Sequence, residues 1–128
     1  MTNRPSNFEM VKEFNQAFGV MRGWDGPNID LRMKLINEEV TEVYEELFNR
    51  GRYDKAKVAK EIADLLYVVY GAADVLAIPI DAVFKEVHRS NMSKLGEDGK
   101  PVRRDDGKVL KGPNYIPANL EGIVDASV

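Results

Sequence analysis

Two groups of acidic residues stand in neighbouring stretches of the sequence. Glu38, Glu39 and Glu42 lie in the stretch NEEVTEVYEEL, and Glu61 and Asp64 lie in the stretch KEIADLLYVVYG. Both stretches otherwise have the apolar spacing of helices that pack. A carboxylate that faces an apolar surface is costly unless it is paired or bound to a metal, and Mg²⁺ and Mn²⁺ prefer oxygen ligands. The pattern therefore predicts a site for a hard divalent cation.

Placing residues at about 100° intervals around each helix shows which acids face the core. On the first stretch, Glu39 lies closest to the apolar stripe and Glu38 lies furthest from it. On the second stretch, Glu61 falls on the apolar line and Asp64 lies at its margin. We therefore expect two acids to point into the interior and a third to lie at its edge. The apolar stripe beside the glutamates is predicted to consist of Ile36, Val40, Val43 and Leu47.

A cluster of glutamates on one helix also has a simpler explanation, which is a solvated face. Glu61 and Asp64 favour the metal site instead, because they form an acidic pair on the apolar face of a neighbouring helix. The nearby basic residues, among them Arg32 and Lys60, are poorly placed to compensate these charges. A catalytic metal site and a structural metal or ion-pair site both stay open.

Four helices joined by short connections are predicted to position the acids. We expect Ser6 or Asn7 to cap the first helix and Asp54 the third, and Gly51 to end the second. The predicted fold is therefore all-α and resembles a four-helix bundle. The expected bounds are Asn7 to about Gly19, about Asp30 to Arg50, Asp54 to near Pro79, and about Pro79 to Ser93.

The sequence changes character after the fourth helix. From Leu95 the stretch GEDGKPVRRDDGKVLKGPNYIPANL has two Asp-Gly turns, three prolines and almost no apolar periodicity. A small β-hairpin is predicted where residues 101–104 face residues 108–110 around an Asp-Gly turn. We expect one domain over residues 1–128, with a helical core over about 7–94 and a C-terminal tail over about 95–128.

Composition excludes several classes of function. The chain has no cysteine, so a disulfide, a thiolate zinc site and a thiol nucleophile are impossible. Its formal net charge of -3 gives no general attraction to nucleic acid or acidic membranes. No apolar run approaches the roughly 18 residues of a membrane span, and the first residues lack the apolar core of a signal peptide. We therefore expect a cytoplasmic protein without nucleic acid or membrane partners.

The two acidic groups also match a known motif. Glu38-Glu39-x-x-Glu42 followed by Glu61-x-x-Asp64 resembles the EExxE…ExxD motif of the all-α nucleoside triphosphate pyrophosphohydrolases. That superfamily includes MazG, the dimeric dUTPases and phosphoribosyl-ATP pyrophosphohydrolase. The stretches ADLLYVVYGAADVLAI, VFKEVHRSNMSK and GKVLKGPNY are similar to a small MazG-like or phosphoribosyl-ATP pyrophosphohydrolase-like branch with a single domain. The resemblance covers most of the chain, from Phe8 to Leu120.

The resemblance implies a reaction and a role for each acid. Members of the superfamily hydrolyse the α–β phosphoanhydride of a nucleotide with Mg²⁺, and they release a monophosphate and pyrophosphate. Carried over by position, the metal ligands would be Glu39, Glu42, Glu61 and Asp64. Glu38 would be the base that activates water, in agreement with its place on the helix. Mn²⁺ is expected to substitute for Mg²⁺.

The resemblance also gives the C-terminal residues a role in substrate binding. Asn91 and Lys94 correspond to a family Asn-x-x-Lys that contacts the substrate, and Lys108 and Lys111 would add positive charge near the phosphates. Arg32 is a further candidate that could touch a phosphate or pair with an acid. The alternative for each lysine is an exposed, solubilising role. No ribose-ATP recognition element is recognisable, so phosphoribosyl-ATP is the less favoured substrate.

Apolar residues lie around most of the third helix and at the edge formed by Tyr44 and Phe48. A helix that is apolar on nearly all sides is normally buried on all sides. We therefore expect a homodimer or a dimer of dimers, with active sites at subunit interfaces as the resemblance implies. Three functions stay open: a (d)NTP pyrophosphohydrolase for pool control or house-cleaning, a phosphoribosyl-ATP pyrophosphohydrolase, and a non-enzymatic metal-binding helical dimer.

Overall fold

Helices account for most of the chain in a computed structural model that describes residues 4–49 and 54–125. The predicted all-α fold is confirmed, as is the small C-terminal hairpin. A fifth short helix near the C-terminus was not predicted. In chain order the elements of the described residues are α1 (Asn7–Ala17), α2 (Gly26–Leu47), α3 (Lys55–Val75), α4 (Ile80–Met92), β1 (Val102–Arg103), β2 (Val109–Leu110) and α5 (Glu121–Asp125).

The chain divides into two units, which we describe separately. The N-terminal unit covers residues 1–78 and contains α1, α2 and α3, and the C-terminal unit covers residues 79–128 and contains the other elements. The boundary falls before α4, whereas we expected a helical core that reached about residue 94. One domain over the whole chain stays a prediction.

α1 begins at the cap that its sequence predicts. Ser6 Oγ accepts a hydrogen bond from the Glu9 amide at 3.1 Å, and Glu9 Oε1 accepts one from the Ser6 amide at 3.3 Å. Such a capping box satisfies amide groups that have no partner inside the helix. Phe8 and Val11 on this helix are buried, and α1 packs against α3.

α2 begins at Gly26, earlier than the predicted start at Asp30. Asp25 caps the helix by accepting a hydrogen bond from the Asn28 amide at 2.9 Å, and Pro27 stands in the first turn, where its fixed φ suits a helix. In the sequence, Gly26 and Pro27 favoured the prediction of a loop over this first turn. The helix ends at Leu47, and the predicted end at Arg50 and Gly51 lies outside the described residues.

α3 starts at the predicted cap and carries the most buried part of the N-terminal unit. Asp54 Oδ1 accepts hydrogen bonds from the amides of Ala56 and Lys57 at 3.1 and 3.2 Å. Ala73 and Val75 at the other end are buried. The loop after α1 is tied to this end, because the Trp24 indole donates a hydrogen bond to the Leu76 carbonyl at 2.8 Å.

A buried carboxylate fixes α1 and the following loop to the last turn of α3. Asp74 is 4% exposed and accepts a hydrogen bond from Asn15 Nδ2 at 2.9 Å. Arg22 Nη2 and Nε donate to the other oxygen of Asp74 at 2.7 and 3.2 Å. Both oxygens of this buried acid therefore have partners, as a buried charge requires.

The C-terminal unit consists of α4, the hairpin and α5. In the hairpin, Val102 pairs with Leu110 and Arg103 pairs with Val109, within the stretches predicted to face each other. Gly107 closes the turn with a φ of +88°, a left-handed conformation that favours glycine. Among the described residues, no single helix is long and apolar enough to cross a membrane.

Candidate active site

Four carboxylates from α2 and α3 converge in the N-terminal unit. Glu39 and Glu42 lie three residues apart on α2, and Glu61 and Asp64 have the same spacing on α3. That spacing puts both acids of a pair on one helix face, and the two faces meet because α2 packs against α3. One carboxylate oxygen from each residue lies within 4.8 Å of the other three. We call these four residues the carboxylate cluster.

The carboxylate cluster has unsatisfied acceptor capacity. Glu39 Oε2 and Glu61 Oε2 are buried and have no hydrogen-bond partner within the described part of the chain. Leaving a buried carboxylate oxygen without a partner costs about 1–3 kcal/mol or more. A small divalent cation such as Mg²⁺ takes oxygen ligands at about 2.1 Å, so two opposite ligands stand about 4.2 Å apart. The oxygens of the carboxylate cluster lie within 4.8 Å of one another, so they need to move together only slightly to reach that spacing. The donor set fits a divalent cation.

The acids of the carboxylate cluster also perturb one another. A hydrogen bond with the Glu42 carboxyl raises the pKa of Glu61, and burial raises it further. Glu61 is well shielded, with 18% of its side chain exposed. A cation bound between these two groups would favour the ionised form of both.

Lys60 supplies positive charge beside the carboxylate cluster, contrary to the prediction that it is poorly placed. Its ammonium lies 2.6 Å from Asp64 Oδ2 and 3.9 Å from Glu61 Oε1. The expectation was wrong because a lysine reaches the residue four positions later on the same helix face. Lys60 is largely exposed, and within the described ranges it is the one cation that forms an ion pair with the carboxylate cluster.

The buried face of α2 differs from the predicted apolar stripe. Val40 and Leu47 are 48% and 39% exposed, whereas Glu39 and Glu46 are half-buried. The helix is turned so that Glu39 and Glu46 are partly covered, and Val40 and Leu47 of the predicted stripe face outward as a result. Glu46 was not among the predicted site residues, although it follows Glu39 by seven residues, which places both on the same face. Its Oε1 is buried without a hydrogen-bond partner among the described residues.

Glu38 lies outside the carboxylate cluster, as its offset on the helix predicted. It is exposed and borders an open depression that Lys34, Asn37 and Thr41 also line. It precedes Glu42 by four residues, so the two side chains are neighbours on the surface of α2. The structure therefore leaves Glu38 accessible, one helical turn from the cluster.

Arg32 is also separate from the carboxylate cluster. It precedes Glu39 by seven residues, which corresponds to about 10 Å along α2. Its guanidinium lies beside Gly71 of α3, where a Cβ atom would stand 3.8 Å from Arg32 Nη1. The buried Nε has no hydrogen-bond partner in the described ranges. Substrate binding by Arg32 stays a prediction.

The remaining predicted residues belong to the C-terminal unit. Asn91 is exposed in the last turn of α4, and Lys94 is half-buried just after that helix. The backbone at Lys111 passes close to that of Lys94, because the next residue, Gly112, donates a hydrogen bond to the Lys94 carbonyl at 2.8 Å. Lys108 is exposed near the turn of the hairpin. Their contact with a substrate stays a prediction.

The chain matches a known protein family and a viral relative. The family described as phosphoribosyl-ATP pyrophosphohydrolase matches residues 21–91, a region that contains the whole carboxylate cluster. "Uncharacterized protein L479" of Acanthamoeba polyphaga mimivirus is 27% identical over 109 residues, which cover 78% of this chain and 40% of that protein. The chain thus spans less than half the length of that relative.

A solved structure has the same fold. It is a crystal structure at 1.78 Å resolution of a protein from Exiguobacterium sp. 255-15, which its description assigns provisionally to the NTP pyrophosphohydrolases. The two structures superpose with a TM-score of 0.50 over 98% of this chain and 95% of the other, at 19% sequence identity. This likeness supports the fold alone.

Proposed function

Because the chain belongs to the phosphoribosyl-ATP pyrophosphohydrolase family, we propose that it is a Mg²⁺-dependent nucleotide pyrophosphohydrolase. Pyrophosphohydrolase activity in general follows from the family. The narrower proposal is that the chain cleaves the α–β phosphoanhydride of a (d)NTP to the monophosphate and pyrophosphate, for nucleotide pool control or house-cleaning.

The observation that carries the proposal is the convergence of four carboxylates, two of which keep a buried oxygen without a hydrogen-bond partner among the described residues. We assign Glu39, Glu42, Glu61 and Asp64 as ligands of Mg²⁺, with Mn²⁺ as a substitute. An all-oxygen donor set favours these ions over softer metals. When bound, Mg²⁺ neutralises phosphate charge and lowers the pKa of water.

Glu38 is the proposed general base. It is exposed, stands a helical turn from Glu42 and lies apart from the carboxylate cluster, so it is not needed as a ligand. A carboxylate in this position can take a proton from the water that attacks the phosphoanhydride. Asn91, Lys94, Lys108, Lys111 and Arg32 are the proposed substrate-binding residues.

We also propose a homodimer or a dimer of dimers in the cytoplasm. Several large apolar side chains of the N-terminal unit are exposed, which is unusual for a surface that faces water alone. They include Phe18 on the C-terminal side of α1, Tyr44 and Phe48 at the end of α2, and Leu66 on α3, at 71%, 61%, 67% and 49% exposure. Light scattering after size exclusion would measure the assembly directly, and a monomer at micromolar concentration would contradict this proposal.

The family match favours phosphoribosyl-ATP as a second candidate substrate, because the matching family is described by that reaction. The chemistry is the same, and the carboxylate cluster serves both substrates equally. What differs is the group beyond the phosphates. Direct competition between the two substrates therefore decides between them.

Product analysis tests the proposal. The purified protein is incubated with each common NTP and dNTP, with dUTP and with phosphoribosyl-ATP, in Mg²⁺ and in Mn²⁺, and the products are separated by anion-exchange chromatography. We expect a monophosphate and pyrophosphate in equal amounts from at least one (d)NTP, and their loss on adding EDTA. Turnover of phosphoribosyl-ATP alone would favour the second candidate. Turnover of no substrate, with a metal-dependent rise in Tm, would favour a non-enzymatic metal-binding helical dimer.

A further inference from the structure

A depression of about 330 Å³ lies in the N-terminal unit, formed by α1, the loop that follows it and the last turn of α3. We call it the basic depression. It is lined by Lys12, Gln16, Val20, Arg22 and Asp74. Asp74 follows Asp64 of the carboxylate cluster by ten residues on α3, which corresponds to about 15 Å along the helix. No residue of the carboxylate cluster lines the basic depression, so the two places are separate.

The acidic side chain of the basic depression is already in use. Asp74 is 4% exposed, and its Oδ2 accepts a hydrogen bond from Asn15 at 2.9 Å. Its Oδ1 accepts two hydrogen bonds from the Arg22 guanidinium, at 2.7 and 3.2 Å. Both oxygens therefore have donors, and the charge of Asp74 is paired with that of Arg22.

The helix ends beside the basic depression also have donors of their own. The carbonyl end of a helix carries a partial negative charge, which would oppose the binding of an anion. Near the end of α1 the Asn15 carbonyl accepts a hydrogen bond from the Val20 amide at 2.8 Å, and at the end of α3 the Val75 carbonyl accepts one from the Gly23 amide at 2.9 Å. These amides compensate part of the negative charge at both ends.

The donor groups of the basic depression, in contrast, are available. Arg22 Nη1, the Lys12 ammonium and the Gln16 side-chain amide form no hydrogen bond or ion pair with any residue that the structure describes. Two hydrogen bonds to one Asp74 oxygen fix the orientation of the guanidinium. The Lys12 ammonium lies 5.0 Å from the centre of the buried Phe8 ring. A depression with acceptors in use and donors available favours an anionic ligand.

We propose that the basic depression binds a phosphoryl group, carried either by free orthophosphate or by a small phosphorylated molecule. Such a group offers three or more acceptor oxygens and up to two negative charges. The Arg22 guanidinium supplies planar donors, the Lys12 ammonium a compact charge and the Gln16 amide a neutral donor. Asp74 acts by orienting Arg22. The site does not depend on the proposed reaction, so the failure of either proposal leaves the other standing.

An NMR titration of the whole chain with orthophosphate tests the site. It is done at fixed ionic strength and with EDTA, so that the carboxylate cluster holds no metal that could bind phosphate. We expect the side-chain amide signal of Gln16 to shift and to saturate. Lys12→Gln should raise the Kd about tenfold, because it removes a charge-assisted hydrogen bond. The absence of a saturable shift at Gln16 in the wild type would overturn the inference.

Lys55→Gln is the matched control, because Lys55 is exposed in the same unit and does not line the basic depression. Its Kd should equal that of the wild type, and equal Kd values in Lys12→Gln and Lys55→Gln would contradict the site. Lys94→Gln separates the basic depression from the proposed substrate-binding residues. It should leave the shift at Gln16 unchanged, and loss of the shift in this variant would overturn the inference.

Arg22→Lys tests the planar donors while it keeps a positive charge beside Asp74. We expect the Kd for orthophosphate to rise, because an ammonium cannot bond Asp74 and hold a second anion in the same fixed geometry. An unchanged Kd in a folded Arg22→Lys chain would contradict the role of the guanidinium. If this variant fails to fold, as judged by its Tm, the comparison of Lys12→Gln with Lys55→Gln decides.

Adenosine monophosphate in place of orthophosphate distinguishes the two sources of the phosphoryl group. A saturable shift at Gln16 with a lower Kd than that of orthophosphate supports a phosphorylated molecule as the ligand. A higher Kd, or no shift at Gln16 with the nucleotide, supports free phosphate. If neither compound shifts Gln16, the basic depression does not bind a phosphoryl group.

Discussion

Glu42 and Glu61 face each other between α2 and α3, and the Glu42 carboxyl raises the pKa of Glu61 through a hydrogen bond. Two carboxyls that approach this closely cannot both ionise at low cost unless a cation lies near them. Lys60 approaches from one side but is largely exposed and bonds mainly to Asp64. A cation bound beside the two glutamates would remove this cost.

Divalent cations are expected to stabilise the protein. If Mn²⁺ binds the carboxylate cluster in the folded chain and not in the unfolded chain, saturation at 100 times its Kd raises the free energy of unfolding by about 2.7 kcal/mol. Thermal unfolding with and without Mn²⁺ measures this effect. In Glu61→Gln the rise in Tm should be largely lost, because one ligand charge is gone. Glu45→Gln is the matched control, since Glu45 is exposed on α2 and is not part of the carboxylate cluster. An equal metal effect in all three chains would contradict the assignment.

Glu38→Gln is expected to separate catalysis from metal binding. A positioned general base commonly contributes a factor of about 10²–10⁴, so kcat should fall by that amount with the substrate identified by product analysis. The rise in Tm with Mn²⁺ should be retained, because Glu38 lies outside the carboxylate cluster. Full activity in Glu38→Gln would rule out the proposed base. Loss of the metal effect in the same variant would instead make Glu38 a ligand.

Asp74→Ala is expected to destabilise the N-terminal unit by about 2–4 kcal/mol, because it leaves Asn15 without an acceptor and Arg22 without its counter-ion. Arg22→Ala should cost less, since the Arg22 side chain is 58% exposed and can be solvated once its partner is gone. Urea unfolding of both variants measures the two free energies. Asp105→Ala, in the exposed hairpin, provides the control. A smaller cost for Asp74→Ala than for Arg22→Ala would show that this buried carboxylate is not the centre of the network.

Most of the fold could be predicted because local signals decided it. Ser6 and Asp54 are capping residues in places where the apolar period begins, and the Asp-Gly turn determined the hairpin. The start of α2 could not be predicted in this way, since Pro27 suits both a loop and a first helical turn. The segment over residues 112–119 also gave no periodic signal in the sequence. Single hydrogen bonds hold it to α4, and no regularly spaced apolar side chains do so.

The carboxylate cluster could be predicted from spacing, whereas its surroundings could not. Pairs of acids three residues apart share a helix face wherever the helix lies, so the convergence of Glu39 with Asp64 needed only that α2 and α3 pack together. The rotation of α2 depends on how the two helices fit in three dimensions. That rotation exposed Val40 and covered Glu46, and no pattern within α2 alone determines it.

Glu86 is expected to make the C-terminal unit sensitive to acid. The Arg89 guanidinium, through paired hydrogen bonds, and the Asn119 amide lower the pKa of Glu86 to about 2. Because the pKa is lower in the folded chain than in the unfolded chain, the stabilisation is present above the ordinary pKa of glutamate. It should be lost as the pH falls from that value through about 2.

The measurement is the side-chain carboxyl shift of Glu86 by NMR from pH 7 downward, together with the Tm of wild type and Glu86→Gln over the same range. We expect the wild type to have the higher Tm near neutral pH and the difference to shrink as Glu86 becomes protonated. Arg89→Gln should raise the pKa of Glu86 toward its ordinary value, because it removes the largest cause of the shift. Glu97→Gln serves as the control, because Glu97 is exposed in the segment between α4 and β1. If Glu86 titrates at the ordinary value in the wild type, then the hydrogen bonds from Arg89 and Asn119 to its carboxylate do not persist in solution. In that case Glu86 does not fix the backbone at Asn119 to α4.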